Sequence, residues 1–406
     1  MSFFLIFHVL SREHLGILEV CMLNQFVLRN YRLFKNETLL DFFPAPINEH
    51  KASLLTAQGD GEFFLPVISL YGPNGCGKSS ILEALWNVCR LAAGDFSLIT
   101  SSGRSYCRLD HTCRELPLSF DLLFRRNGFL FRYQLDVKQG AVLEENMFYG
   151  KPGSDDAGVL FARKANELHI GNEAGKMDFS TLPAGVSLLR YLDPKSSSEC
   201  AKAAASWFSQ VLFFREHDYK KAPDLPSEVE ERQVICRLLQ AMDIDILDYS
   251  ITKEQSLDDP SLILTHGKAD GNTFFVSFNE ESTGIRKLLT LIPLVVKSLR
   301  LGSLLLADDL DNVLHPHLLR FILSLYQDHE KNPHHAQLVF TSHNTAILNP
   351  SVMRRDEICL CCRPEGTDAV LYPLSSYKKE NGLIPRNDEA YGKQYLEGRY
   401  GANPRI

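Results

Sequence analysis

The hydrophobic pattern changes period several times along this chain, and each change marks a different kind of element. Leu23, Phe26, Leu28 and Tyr31 lie in a β-like run that starts at Met22 and ends at Leu33-Phe34. Residues 63–70 are nearly all apolar, as expected of a strand buried on both faces. Residues 79–89 then repeat at helical spacing. From Leu116 the period drops to two. Residues 116–124, 129–137, 141–149 and 159–163 predict an antiparallel meander, with Arg126-Asn127-Gly128 and Lys138-Gln139-Gly140 as tight turns. Arg125, Arg126, Arg132 and Lys138 make this meander locally basic and read as a solvated face. Residues 180–250 return to helical spacing, at 201–214 and 228–242, around a Pro-containing loop at 220–226. They predict an inserted helical arm, too short and too poor in heptads for a long coiled coil. Strands follow at 261–266 and 273–278, then an apolar helix at 287–299. Two buried strands come next, 304–307 and 338–342. Two more, 357–363 and 369–374, precede a polar tail containing Tyr391, Tyr395 and Tyr400.

The chemistry gathers where these elements end. Between the strand at 63–70 and the helix at 79–89 lies Gly72-Pro73-Asn74-Gly75-Cys76-Gly77-Lys78-Ser79, which fits the phosphate-loop pattern. Its glycines let backbone N–H groups turn inward on phosphates. Lys78 adds a charge near the β- and γ-phosphates, and the Ser79 hydroxyl can ligate Mg²⁺. The helix leaving the loop presents its positive end to the same phosphates. Gly72 through Ser80 are therefore expected to line a nucleotide. The strand at 304–307 runs into Asp308 and Asp309, as a central parallel strand does with its C-terminal end at a nucleotide. The strand at 338–342 runs into His343.

Bulk properties narrow the class. A chain of 406 residues holds two or three domains' worth of core. Apolar content of 45% and charged content of 23% are ordinary for a globular protein, and no apolar run reaches the length of a membrane span. The net charge of −7 argues against a general affinity for nucleic acid while leaving a local basic patch open. Ten unevenly spaced cysteines fit a reducing, cytoplasmic setting better than a disulfide framework. Cys107, His111 and Cys113 would need help from Cys359, Cys361 or Cys362 to bind zinc, and read as ordinary thiols and an ordinary imidazole. Residues 1–21 carry an apolar stretch without a basic lead or a small-residue cleavage site, which is not a signal-peptide pattern. They read as an extension or a start assigned too early, with the domain beginning at Met22.

The order of the parts resembles that of ABC-type ATPase heads, the class that includes SMC, RecF and OLD proteins. The phosphate loop comes first; Ser282-Thr283-Gly284 opening a helix, Asp308-Asp309 and His343 follow far downstream. The segments Glu281-Ser-Thr-Gly-Ile-Arg-Lys-Leu-Leu, Asp308-Asp-Leu-Asp-Asn-Val-Leu-His-Pro and Tyr395-Leu-Glu-Gly-Arg-Tyr-Gly-Ala-Asn-Pro are similar to the bacterial RloA/AbiL-type ATPases, to which the PARIS and Septu phage-defence ATPases are related. The resemblance implies an α/β fold, an ABC-type head with a mixed sheet around the phosphate loop and an antiparallel β-subdomain. It divides the chain into a lobe at 22–175, an arm at 176–255, a second lobe at 256–375 and a tail at 376–406.

The resemblance also implies roles. The cofactors would be ATP and Mg²⁺. Lys78, Asp309 and His343 would serve catalysis: Asp309 orients the attacking water, where Glu is usual, and His343 senses the γ-phosphate. Asp308 would reach Mg²⁺ through water, beside Ser79. Ser282 and Gly284 would contact the γ-phosphate held by a partner subunit, residues 312–315 would touch that partner, and Arg32, near Asn30, would face the phosphates. Gln134 and Gln139 are the candidates for the glutamine of this class. The implied function is slow ATP hydrolysis by heads paired as a homodimer or higher even oligomer, controlling a nuclease or toxin effector in anti-phage defence. The alternative is a RecF/SMC-like DNA-repair ATPase, which would favour a more basic chain. An OLD-type nuclease would need a metal domain after His343, and a transporter subunit would carry the full Leu-Ser-Gly-Gly-Gln signature.

Overall fold

The computed structural model describes residues 21–402, except 58–59, 155, 166, 175–181, 193–194, 216, 253–260, 268–270, 365–366 and 380–381. Apart from Cys21, the expected N-terminal extension lies outside the described residues. Cys21 itself is buried and opens the first strand, so the strand starts one residue before the expected Met22.

The antiparallel sheet is built first. β1 (Cys21–Arg29) and β2 (Thr38–Asp41) pair with each other. After the short pair β3 (Leu55–Thr56) and β4 (Phe63–Phe64), the chain crosses to β5 (Val67–Tyr71) and α1 (Lys78–Arg90). It returns as the meander β6 (Leu118–Arg126), β7 (Phe129–Lys138), β8 (Ala141–Gly150), β9 (Ala157–Lys164) and β10 (Glu167–Ile170), in the order β10-β9-β8-β7-β6-β1-β2. The meander matches its predicted pattern because the turn chemistry fits. Asn127 and Gly128 have φ of 49° and 76°, Gln139 and Gly140 of 50° and 85°, the paired positive values that a two-residue hairpin turn requires.

The second half supplies the central sheet. In order come α2 (Glu199–Gln210), β11 (Leu212–Phe214), α3 (Val229–Ala241) and the antiparallel strands β12 (Ile246–Thr252), β13 (Ser261–Gly267) and β14 (Thr273–Ser277). Then come α4 (Thr283–Leu301), β15 (Leu304–Ala307), α5 (Pro316–Gln327), β16 (Gln337–Thr341), β17 (Ile358–Cys362), β18 (Val370–Pro373) and α6 (Tyr391–Leu396). The central order is β11-β15-β16-β5-β17-β18, parallel except for β18. Its strands are apolar throughout because both faces are covered. Leu304, Leu306 and Val339 join the core shared with α1, α2 and the meander. Leu305, Ala307, Leu338 and Phe340 join the core shared with α3, α4 and α5. Three strands therefore end side by side at the phosphate loop: β5 before it, β15 before Asp308 and β16 before His343.

Four expectations change. The run at 63–70 is two strands, because Pro66 has no N–H to give a ladder and the chain switches sheets there. The run from Met22 stops at Arg29; Asn30 and Arg32 take positive φ of 55° and 53°, and Asn30 is a buried brace whose amide donates to the carbonyls of Cys113, Leu116 and Pro117. The basic face of the meander is only half solvated. Arg125 and Arg126 are buried, and Arg125 forks onto Asp60 at 2.9 and 2.8 Å, with Glu62 also on its guanidinium and the Phe64 ring beneath. The described part of residues 176–255 is built into the body rather than projecting as an arm. Trp207 of α2 stacks on Phe124 of the meander at 4.3 Å, and β11 is the edge strand beside β15. Its Leu-Phe-Phe run was legible only as the end of a helix because three residues carry no usable period.

Candidate functional site

The phosphate loop owes its shape to two close approaches. A side chain on Gly72 would meet the Cys361 carbonyl oxygen at 2.0 Å, and one on Gly77 would meet the Phe34 ring at 2.8 Å. Gly77 caps α1 at φ 110°, a conformation that favours glycine. Lys78 is buried, and its Nζ donates to the carbonyls of Gly72 and Pro73 at 2.8 and 3.1 Å, which holds the ammonium over the loop. Cys76 lies buried in the loop, and Cys361 of β17 donates its thiol to the Cys76 carbonyl at 3.1 Å. The neighbouring Cys361 thiol and the Lys78 charge lower the Cys76 thiol from its usual value, against the effect of burial. All ten cysteines are free and buried. Among the described residues no group of three or more His, Cys, Asp or Glu is placed to hold a metal ion, and Cys361 sits at the phosphate loop rather than with His111.

Beneath the loop three oxygens converge. The Ser79 hydroxyl donates to Asp308 Oδ1 at 2.9 Å, and the Thr341 hydroxyl donates to the same oxygen at 2.8 Å. Burial raises the Asp308 carboxyl above its usual range, aided by the neighbouring Asp309 charge and opposed by these two hydroxyls and by Lys78. Hard oxygen donors on a serine hydroxyl and one carboxylate suit Mg²⁺. The pair expected from the sequence is thus assembled from β15 and α1, with β16 supplying an unforeseen third group.

Asp309 follows in a left-handed conformation, φ 49°, which costs an ordinary residue about 1–3 kcal/mol unless its surroundings impose it. Here they do. Its N–H donates to Thr341 Oγ1 at 2.7 Å, and its carbonyl accepts from Lys287 Nζ at 2.5 Å. Lys287 is fully buried and also holds the Asn312 carbonyl at 2.8 Å. A buried ammonium on an otherwise apolar helix is costly unless its donors are used, and these are. The segment after β15 is therefore clamped from α4 and from β16.

The remaining expected residues fall around this centre. His343 is exposed at the mouth; its N–H donates to Asp311 Oδ2 at 3.1 Å. Partial desolvation of its ring, together with the Lys78 charge, holds the imidazole below its usual value, against the upward pull of Asp311, Asp309 and Asp308. Ser282 caps α4 by accepting from the Ile285 N–H at 3.3 Å. Gly284 lies beside the Val313 carbonyl, 3.3 Å from where a side chain would begin. Val313, a β-branched residue at φ 59°, is 49% exposed. The Ser-Thr-Gly turn and residues 312–313 thus lie together, with Gly284 beside Val313 and Lys287 on the Asn312 carbonyl. Arg32 reaches α1, donating to Ser80 Oγ at 3.4 Å and pairing with Glu83.

Neither candidate glutamine joins the site. Gln134 donates to Asp121 on the meander at 3.0 Å, and Gln139 sits in a hairpin turn. The end of β11 also meets Asp308: its Phe214 carbonyl accepts from the Asp308 N–H at 2.9 Å, and Arg215 is the next residue. Thr341, Lys287, Asp311 and Arg215 escaped the sequence reading. Only Thr341 left a signal, as a polar residue closing an apolar strand.

Comparison with known proteins gives a family. Residues 67–349, well over half the chain, match the family model described as "AAA domain, putative AbiEii toxin, Type IV TA system". No curated protein matches the chain. Among solved structures, it is similar to the SMC head domain from Thermotoga maritima, at 13% identity and a TM-score of 0.45, over 86% of this chain and 98% of that one. An Smc head bound to the C-terminal domain of ScpA, derived from Pyrococcus furiosus, aligns at 9% identity and a TM-score of 0.39, over 87% and 97%. The chain belongs to this AAA-domain family.

Proposed function

We propose that this chain binds ATP at Gly72–Ser80, hydrolyses it slowly, and closes head to head on a second copy of itself around the nucleotide. The observation that carries the reading is the convergence of Ser79, Asp308 and Thr341 directly under a phosphate loop whose lysine is already aimed inward. Mg²⁺, held by Ser79 and through water by Asp308, would neutralise phosphate charge. Lys78 supplies the loop's positive charge, and Arg32 adds a second one beside Ser80. Asp309 accepts a hydrogen bond from the attacking water and orients it. His343 needs no charge for its part, because a neutral imidazole keeps one ring N–H to donate to a γ-phosphate oxygen. Ser282, with the exposed Val313 surface, reaches the nucleotide of the other copy.

The cycle would control a partner effector, a nuclease or toxin, in anti-phage defence. The family description, with its toxin of a type IV toxin–antitoxin system, supports a role in conflict between bacteria and their invaders. That is an argument from kinship, weaker than the site geometry. Among the described residues no helix is long and apolar enough to cross a membrane. The first test is calorimetric. Lys78→Ala removes the loop's only cation and is expected to abolish measurable ATP binding; retention of wild-type affinity would overturn the reading.

A further inference from the structure

The tail folds back on the nucleotide site. Its outer end is pinned to β18: Tyr372 Oη donates to the Tyr400 carbonyl at 2.6 Å, and Tyr377 stacks on Tyr372 at 5.5 Å and meets Tyr400 edge-on at 5.9 Å. Lys379 pairs with Glu389 at 2.5 Å. Between these anchors α6 lies against the helical turn Thr345–Ile347, just after His343. The Gly392 N–H donates to the Leu348 carbonyl at 2.9 Å. A side chain on Gly392 would stand 2.6 Å from the Thr345 carbonyl oxygen, so contact this close requires glycine. Tyr395, 7% exposed, meets the Tyr71 ring edge-on at 6.0 Å. Tyr71 is the residue before Gly72, and its hydroxyl donates to the Asn344 carbonyl at 2.9 Å. One continuous set of contacts thus runs from the tail to the root of the phosphate loop and to the residue beside His343.

We infer that Gly392 and Tyr395 are positioning residues for His343, and that residues 391–395 form a strap fixing segment 343–348 against the phosphate loop. The inference rests on the reading of His343 as the residue that meets the γ-phosphate. Asp311 on the His343 N–H and Arg320, which donates to the Ala346 carbonyl at 2.7 Å, hold the segment from one side, and the strap packs it from the other. His343 is exposed and stands two residues beyond the end of β16, and exposed connections open easily unless packed from behind. The strap provides that packing. It touches the carbonyls of Thr345 and Leu348 and, through Tyr71, that of Asn344, while the side chains of Lys78, Ser79 and Asp308 bond to Gly72, Pro73 and Thr341 and, between Ser79 and Asp308, to one another. It therefore governs where the histidine stands without building the phosphate cradle.

The test uses the full chain. Gly392→Ala pushes a methyl group into the Thr345 carbonyl and is expected to lower kcat by about 10- to 100-fold, the scale of a misplacement near 1 Å. ATP affinity by calorimetry should stay within about twofold, because Lys78 and Ser79, which carry most of the phosphate binding in this reading, are held by bonds of their own, so the loss falls on kcat rather than on the dissociation constant. Tyr395→Ala should behave likewise and Tyr395→Phe, which keeps the ring edge on Tyr71, should restore turnover. Amide hydrogen exchange across 343–348 should quicken in Gly392→Ala. An unchanged kcat in Gly392→Ala overturns the proposal, as does a parallel loss of ATP affinity, which would make the tail a general prop. If the wild-type chain binds ATP but never turns it over, the ATPase reading fails alone. Exchange then still decides the strap: unaltered protection of 343–348 in Gly392→Ala overturns it.

Discussion

Under the proposed function, Asp309 is the position expected to set the rate. Its backbone cannot drift, since Thr341 holds its N–H and Lys287 its carbonyl. The reach of its carboxylate is then set by the length of its side chain alone. A Glu at this point carries the carboxylate one methylene further toward the water it must orient. A misplacement of roughly 1 Å can cost about 10²-fold in rate. Asp309→Glu is accordingly expected to speed steady-state phosphate release, and an equal or slower rate would refute the idea. The residues carrying local signatures, Lys78, Ser79 and Asp308, could be named from sequence because their spacing is itself the motif. Thr341 and Lys287 could not. Their parts are played across long sequence separations, and a lysine inside an apolar helix reads as a solvated one until the fold buries it.

Among the elements, β17 carries an unusual load at its start. Glu357 is fully buried, its carbonyl accepts from both the N–H and the hydroxyl of Ser69 on β5, and its side chain accepts from the Arg354 N–H at 2.9 Å and Gln327 at 3.3 Å. Burial foremost, with the Asp356 charge adding to it, lifts the carboxyl from 4.5 to about 8. The folded state thus holds a proton that the unfolded chain releases. The stabilising term is fully present below pH 4.5 and is lost as pH rises toward 8 and beyond. Glu357→Gln keeps the shape and removes the titration, so its melting temperature should gain on the wild type from pH 5 to pH 8. A difference that does not vary over that range would show that Glu357 ionises freely in the fold. At this scale the sequence was most legible where one period persisted, as in the meander and the central strands. It misled where a strand was too short to show a period, as in β11, and where an arginine looked solvated but the β3–β4 turn folded over it, as with Arg125.

At the scale of the whole molecule, the residues expected from the sequence fall in two groups. Lys78, Ser79 and Asp308 gather at the phosphate loop, while Ser282 and Gly284 open α4 with Gly284 beside Val313. The Ser282 hydroxyl accepts from its own helix, and the neighbouring Val313 is left 49% exposed in a strained left-handed conformation. Strain of that kind persists where something repays it, and an interface is one such thing. Two copies related by a two-fold axis would set each Ser-Thr-Gly turn on the other's nucleotide, so one pair of contacts closes the assembly. The closed state should exist only with ATP, because binding drives association only through a difference in affinity between the open and closed forms. Asp309→Asn, which keeps the fold around the loop and removes the water-orienting carboxylate, is expected to accumulate a species of twice the 45.9 kDa chain mass with ATP and Mg²⁺ in light scattering. Ser282→Arg in the same background should remain at the mass of one chain while binding ATP with unchanged affinity, since its surface takes no part in its own loop. A full-strength dimer in that double variant, or a dimer that forms equally well without nucleotide, would mean that the chain pairs through another face and that the Ser282 surface serves a different partner.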